Sequence, residues 1–364
     1  MKRKLLQYLI CPSCKGEMSL KVFEEERNEI ISGLFECLCG KKYPVAGCIP
    51  RLYEGSLKEN TDFIKKYGGL IGKVDFDLKM SLDEIRTRKT FEYEWLNYNV
   101  IVGNEKDIFF EQTQLKPEEI KGRFVIDVGC GMGRYTKLAL DSGAEVVGFD
   151  IGRSVEKAWS NLKGDSNAHI VQGDIMNLPL KNNTFDIVYS LGVLHHTRDA
   201  HSAFEGVSKL AKPGGIATMW VYGRAGAYKD FITNEFKHER RIFKILQKNK
   251  ILSVIYWLSI KTREFISETS RIFTTRMPHR LLYGFCCILA VAGKIPLLKY
   301  LTYSVLPGFK ARVMENFDWL SPIHQSHHTA GEVRQWFETA GFRDIKILTQ
   351  GLVPVAGARA VKKD

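Results

Sequence analysis

The sequence predicts an α/β protein, built on a parallel sheet with helices on both faces and a small cysteine-bearing β unit ahead of it. Three observations predict this. Between residues 122 and 222, short apolar runs alternate with helix-like segments. Three glycines, Gly129, Gly131 and Gly133, follow the first of those runs directly. Four of the eight cysteines form two close pairs within the first 40 residues.

The chain has 364 residues, enough for about two domains. Its formal net charge is +12, and the excess is local. Arg224 to Arg312 holds 17 Lys/Arg against 5 Asp/Glu, which accounts for all of it. A local excess calls for a local partner rather than a basic protein as a whole. The opening "MKRKLLQYLI" is basic, but its apolar run is too short for a secretory signal and leads straight into "CPSC". The longest apolar run, Leu281 to Gly293, is shorter than the ~18 residues of a membrane span. The expectation is a cytoplasmic chain, in which close-spaced cysteines read as metal ligands rather than disulfides.

At the N-terminus, "CPSC" places Cys11 and Cys14 in one knuckle, and "CLCG" places Cys37 and Cys39 in a second, with Cys48 nearby. Two such knuckles about 20 residues apart can set four thiolates around one Zn²⁺. The metal would stabilise a segment too small to do so by burial. The intervening "MSLKVFEEERNEIISGLFEC" reads as a hairpin. These residues, with "CGKKYPV" and "IPRL", resemble the zinc-ribbon domain that activates tRNA and protein methyltransferases and that is fused ahead of many bacterial methyltransferases. That family's second knuckle is usually C-x-x-C-G. Here it is one residue shorter, so Cys37 is the least secure ligand and Cys48 a possible substitute.

Further on, "RFVIDVG" is a strand ending near Asp127, and "GMGRYTKLALDSGA" is a helix ended by Gly143. "EVVGFDIG" is a second strand, ending in Asp150, and "SVEKAWSNLK" a second helix. "AHIVQGDIMNLPL" and "TFDIVYSLGVLHH" supply strands three and four. "AHSAFEGVSKLAKPGG" is a helix stopped by Pro213-Gly214-Gly215, and "IATMWVYG" is strand five. In such sheets ligands bind beyond the C-terminal strand ends. There glycines let a ligand approach bare backbone.

The set "DVGCGMG", "GDIMNLP", "VLHH" and "KPGG" over residues 122 to 222 resembles the class I S-adenosylmethionine-dependent methyltransferases, of the type 11 kind. The resemblance implies a Rossmann-like, seven-stranded sheet. It implies S-adenosylmethionine as cofactor, with Asp127 and the loop Gly129, Cys130, Gly131 and Gly133 at its amino-acid moiety. Asp150, with Ile151, would take both ribose hydroxyls. Asp174 and Ile175 would hold the adenine edge, and Ser190 and Leu191 would lie near the methyl group.

"TAGEVRQWFETAGF" opens with a capping box, Thr329 and Glu332, and "RDIKILTQG" and "GARAVKK" read as the last two strands. The predicted organisation is a ribbon over 1–57, a helical cap over 61–121, a core over 122–222 resumed at 330–364, and a basic helical insertion over 223–329. Ser81 and Glu84 form a second capping box, before "TFEYEWLNY". That stretch resembles the entry segment of methyltransferases acting on sugars and secondary metabolites; plain core packing of Phe91, Trp95 and Tyr98 is the alternative.

Methyl transfer to a hydroxyl requires alignment, exclusion of water and a base. The histidine candidates are His195, His196, His324 and His328, with His327 beside them. No Asn/Asp-Pro-Pro-aromatic tetrapeptide occurs, which removes the usual mark of exocyclic amino-group methylation. No Pro-Cys pair lies near strands four or five, which argues against cytosine C5 chemistry. The basic insertion fits a lid over a hydrophobic or anionic acceptor, an anionic membrane surface, or RNA. The expected activity is O-methylation of a small molecule or of a glycan- or lipid-linked intermediate. An RNA methyltransferase and a non-catalytic zinc-ribbon scaffold are the alternatives.

Overall fold

The computed structural model describes residues 1–72, 80–97, 105–224, 248–295, 308–348 and 355–364, with 226, 228, 302 and 304. Tyr98 and a large part of the basic segment lie outside the described residues.

Four strands come first: β1 (Met18–Glu26), β2 (Glu29–Cys37), β3 (Lys42–Ala46) and β4 (Ile49–Leu52). Helices α1 (Ser56–Glu59), α2 (Thr61–Ile71), α3 (Leu82–Asn97), α4 (Glu105–Thr113) and α5 (Pro117–Ile120) follow. The alternating core then runs β5 (Phe124–Val128), α6 (Arg134–Asp141), β6 (Glu145–Asp150), α7 (Ser154–Leu162), β7 (Ala168–Gly173), β8 (Phe185–Leu191), α8 (Ala200–Ser208) and β9 (Ala211–Tyr222). Helices α9 (Lys250–Thr274), α10 (His279–Ala292) and α11 (Phe309–Leu320) form the insertion. The fold closes with α12 (Ala330–Thr339), β10 (Phe342–Leu348) and β11 (Val355–Lys362).

The seven strands from β5 to β11 stand in the order β7-β6-β5-β8-β9-β11-β10, with β11 antiparallel between β9 and β10. The sheet does not end there. Strand β4 pairs in parallel with β7, Arg51 opposite Gln172 and Leu52 opposite Gly173, so the ribbon extends one sheet to eleven strands. An expected seven-stranded sheet with an appended ribbon is therefore one continuous sheet. The reason is an edge: β7 would otherwise present unpaired backbone. The junction is also polar. Arg51 is buried and donates to Gln172 Oε1 at 2.7 Å, and Lys2 Nζ donates to the carbonyls of Asp165, Ser166 and Ala168. Leu5, Ile30 and Phe35 of the ribbon share one apolar cluster with Val147, Phe149 and Val171 of the core. Each such side chain contributes roughly 1.5–3 kcal/mol by burial.

Two boundaries differ from expectation. Helix α8 ends at Ser208, before the proline, and Pro213-Gly214-Gly215 lie within the span of β9. The pairing of β8 with β9 jumps from Phe185–Ala211 to Ile187–Ile216, so the extra residues bulge out, with Gly214 at φ 71°. Both predicted capping boxes form. Thr329 Oγ1 accepts from Glu332 N, and the Ser81 backbone N–H donates to Glu84 Oε2 at 2.8 Å.

The insertion packs as a roof. Leu282, Cys286 and Ala290 of α10 meet Val313, Phe317 and Leu320 of α11, with Tyr93 of α3 against them. Arg271 of α9 donates to the carbonyls of Pro322 and Ile323, and Arg86 of α3 to that of Met277. This roof lies over the C-terminal ends of the parallel strands.

Candidate active site

Beneath the roof is a cavity of about 660 Å³. Its floor begins at the loop after β5. Gly129 has φ 87°, and a Cβ there would come within 2.2 Å of Val193 in the loop after β8. A glycine here is expected to admit a ligand to bare backbone, yet the first obstacle to a side chain is the protein's own Val193. Gly131 has φ 53°, donates its N–H to Asp150 Oδ2 at 2.9 Å, and faces the Trp95 ring. Asp150 Oδ1 accepts from Gly152 N at 2.7 Å, so this one carboxylate ties two loops together. Its pKa is raised by burial, while the two backbone donors oppose that shift. Asp174 caps the short turn Ile175–Asn177, accepting from Met176 N and Asn177 Nδ2 at 2.9 Å each.

Of the residues singled out from sequence, Gly129, Cys130, Gly131, Asp150, Ile151, Asp174, Ile175, Leu191, His196 and His324 line the cavity. Asp127, Gly133, Ser190, His195 and His328 do not. Asp127 is turned inward. Its Oδ2 accepts from Thr136 Oγ1 at 2.7 Å, and burial pushes its pKa up to about 7. Ser190 is fully buried and donates to the Val128 carbonyl at 2.9 Å, which ties β8 to the glycine loop. Both act behind the wall.

The histidines differ in how far the protein's own contacts occupy them. His195 is fully buried, its Nδ1 accepts from Tyr222 N at 3.3 Å, and its ring stacks on Tyr222 at 3.8 Å. His196 Nδ1 donates to the His324 carbonyl at 3.1 Å, and burial lowers its pKa to about 3. His327 lies against Tyr222 and Trp319, its pKa lowered by burial to about 4. His328 Nε2 meets Ser326 Oγ at 2.8 Å. His324 lines the cavity, its Nε2 buried without a partner among the described residues.

Sequence reasoning missed a carboxyl group on each of two helices. Glu94 of α3 and Asp318 of α11 both line the cavity; Glu94 is buried and Asp318 is half-buried. Glu94 Oε2 has no partner among the described residues, and burial with the nearby Asp318 raises its pKa well above the usual range. Burial and then Glu315 raise Asp318 to about 7, while Arg134 opposes the shift. Tyr222 O–H lies 3.5 Å from Asp318 Oδ2, and its ring stacks on Trp319. A signal was available. Glu94 shares a helix face with Phe91 and Trp95, where a charged residue needs a reason. Asp318 stands four residues after Met314 and seven after Ala311, both on the same wall. Arg134 also lines the cavity, its guanidinium 5.3 Å from the Trp95 ring and 4.6 Å from the Tyr135 ring.

The ribbon's four sulfurs also come together. Cys11, Cys14, Cys37 and Cys39 each place Sγ within 4.8 Å of the others, with Cys11–Cys39 at 3.7 Å and Cys14–Cys37 at 3.4 Å. Tetrahedral Zn–S bonds of about 2.3 Å put sulfurs about 3.8 Å apart, so the set fits the ion. Cys48 lies outside this group. The shortened knuckle still delivers Cys37, because its N–H bonds to the Lys41 carbonyl across the turn.

The model of the methyltransferase domain family matches residues 126–219. A demethylmenaquinone methyltransferase of Staphylococcus haemolyticus is 31% identical over 175 residues, 46% of this chain and 72% of that protein. The chain belongs to the class I S-adenosylmethionine-dependent methyltransferases. A sterol 24-C-methyltransferase of Pneumocystis carinii is 26% identical over 170 residues, 43% of this chain and 44% of that one. Among solved structures, an S-adenosylmethionine-dependent methyltransferase of Mesorhizobium loti is 28% identical, covering 29% of this chain and 49% of its own, with a TM-score of 0.28. The aligned stretch spans about half the length of the curated relatives it matches. The family-model match lies within the alternating core. The ribbon (β1–β4), the cap (α3) and the roof (α9–α11) of this methyltransferase are outside the family match.

Proposed function

We propose that the protein transfers a methyl group from S-adenosylmethionine to a hydroxyl oxygen of a small molecule or of a glycan- or lipid-linked intermediate. One observation carries this reading: a single cavity has a backbone-built half at the strand ends and a side-chain-built half under the roof. The first half suits the donor. The loop Gly129 to Gly131 would border its amino-acid part, Asp150 its ribose diol, and Asp174 with Ile175 the adenine position. Arg134 stands where it can pair with a carboxylate. The donor, when bound, supplies an electrophilic methyl on a sulfonium.

The second half suits an acceptor. Phe91, Trp220, Tyr222 and Trp319 wall off water, which favours alignment. Asp318 takes the acceptor's proton, since a base near the working pH is the effective one. His195 and His196, whose pKa values burial lowers, respectively accept from Tyr222 N and donate to the His324 carbonyl, and so hold Tyr222 and the loop after β8 in place. Zinc at Cys11, Cys14, Cys37 and Cys39 would be structural and would hold the ribbon that covers the β7 edge. Metal analysis of the purified protein should find about one zinc per chain, lost together with thermal stability in a strong chelator.

Calorimetry with S-adenosylmethionine, followed by transfer of labelled methyl groups into a fractionated metabolite and lipid extract, tests the reading. Binding in the micromolar range and label in alkali-stable ether linkages are expected. Absent binding would favour the scaffold alternative, and label in RNA would favour the nucleic-acid one.

A further inference from the structure

Helices α9 and α10 carry an outer face that no described residue covers. On α9, Ile251, Leu252, Ile255, Leu258, Phe265, Ile266, Ile272 and Phe273 are exposed. Their spacing follows the helical repeat for the length of the helix, so they form one stripe. On α10, Leu281, Phe285, Ile288 and Val291 do the same, and Ile295 continues the row. Phe265 is 71% exposed, Phe273 68% and Ile288 66%. Thirteen of the 18 exposed large apolar residues among the described ones lie on this face.

The polar residues within the stripe ask nothing of a partner. Ser259 Oγ donates to the Tyr256 carbonyl at 2.7 Å, Thr262 Oγ1 to that of Leu258 at 2.9 Å and Thr269 Oγ1 to that of Phe265 at 2.8 Å. Each hydroxyl is satisfied within its own helix, as a side chain facing hydrocarbon must be. The exposed cations stand at the ends of the stripes. Lys248 and Lys250 precede α9, or open it, Arg276 and Arg280 lie about the α9–α10 turn, and Lys294 follows α10. A row of apolar residues bounded by cations complements an acyl boundary beneath anionic headgroups. No helix among the described residues is long and apolar enough to cross a membrane, so a bilayer partner would meet this face at its surface.

The opposite side of the same layer reaches the cavity. Arg263 of α9 lines it, and α10 packs on α11, whose Met314, Glu315, Asp318 and Trp319 form its wall. We infer that the outer face of α9 and α10 docks on an anionic lipid bilayer and that the acceptor is drawn from that surface, one helix layer away. The acceptor half of this inference rests on the methyl-transfer reading; the docking half does not.

The test is co-sedimentation of the full-length protein with phosphatidylcholine vesicles containing about 30% phosphatidylglycerol, and with phosphatidylcholine alone, at low and high salt. Strong binding to the anionic vesicles is expected, weakened by salt. The uncharged triple variant Phe265→Ser, Phe273→Ser and Ile288→Ser should lose at least about tenfold in partitioning. Donor affinity measured on the same variant checks that it is folded; if that affinity falls, the single variant Phe273→Ser, expected to weaken partitioning severalfold, replaces it. The inference is overturned if wild-type protein stays in the supernatant at low salt, or if the folded variant pellets like wild type. It is also overturned if the face proves to hold two copies of the chain together, seen as a concentration-dependent dimer that the variant dissolves. None of these results bears on donor binding, so a failed docking inference remains distinct from a failed methyl-transfer reading.

Discussion

The two halves of the cavity are made from different material. The half proposed for the donor is mostly main chain and short-range: Gly131 reaches Asp150, and Asp174 caps the turn that immediately follows it. The half proposed for the acceptor is side chains from α3, β9 and α11, brought together across more than 200 residues of sequence. A site built of backbone tolerates little, because strand geometry and positive φ values set it. A site built of side chains can change its chemistry without changing the fold. The family match accordingly covers the strand-end half and stops before the roof. The same difference explains how a common donor serves unrelated acceptors.

The comparison can be broken from the acceptor side first. Asp318→Asn should lower methyl transfer by two to four orders of magnitude, the usual value of a positioned base. Donor affinity should stay within about threefold, because the change lies outside the backbone-built half. Single-turnover transfer and calorimetry on one preparation separate the two effects, and a parallel loss of donor binding would show that the halves are not independent.

From the donor side, Asp150→Ala should weaken S-adenosylmethionine binding by roughly 1.5–3 kcal/mol, about 10- to 150-fold. The same carboxylate holds Gly131 and Gly152, so a fall in melting temperature of the donor-free protein should accompany it. Affinity unchanged by the substitution would remove Asp150 from the donor site.

The smallest effect sharpens the comparison through pH. Burial raises Asp127 to about 7 in the folded state, from an ordinary value near 3.8. Its contribution favours folding below the ordinary value and is lost as pH rises through about 7. Asp127→Asn keeps a partner for Thr136 and removes the ionisation. Relative to wild type it should therefore gain roughly 1–3 kcal/mol of stability at pH 8 and little at pH 4. Some pH dependence should remain, because Asp318, Glu94 and Asp150 are raised as well. Denaturant unfolding at the two pH values measures this, and equal curves for variant and wild type would contradict the burial account.

Legibility followed the range of the interactions. The strand-loop-helix order from Phe124 to Tyr222, both capping boxes and the cysteine knuckles were readable, because each depends on residues a few positions apart. Asp127 and Ser190 were legible as positions but not as orientations, since which way a side chain turns at a strand end depends on Thr136 and Val128. Glu94 and Asp318 were legible only as oddities on apolar helix faces. Neither has meaning until the other stands opposite.

The chain by itself determined the parallel sheet, the glycine loop and the four-thiol cluster, because periodicity, positive φ and ligand spacing are local constraints. Tertiary structure alone decided that the ribbon adds to the edge of β7, that His195 and His196 bond to Tyr222 N and the His324 carbonyl, and that the carboxyls of Glu94 and Asp318 share one cavity wall. Those outcomes rest on burial and on the pairing of distant groups, and no short window of sequence contains either.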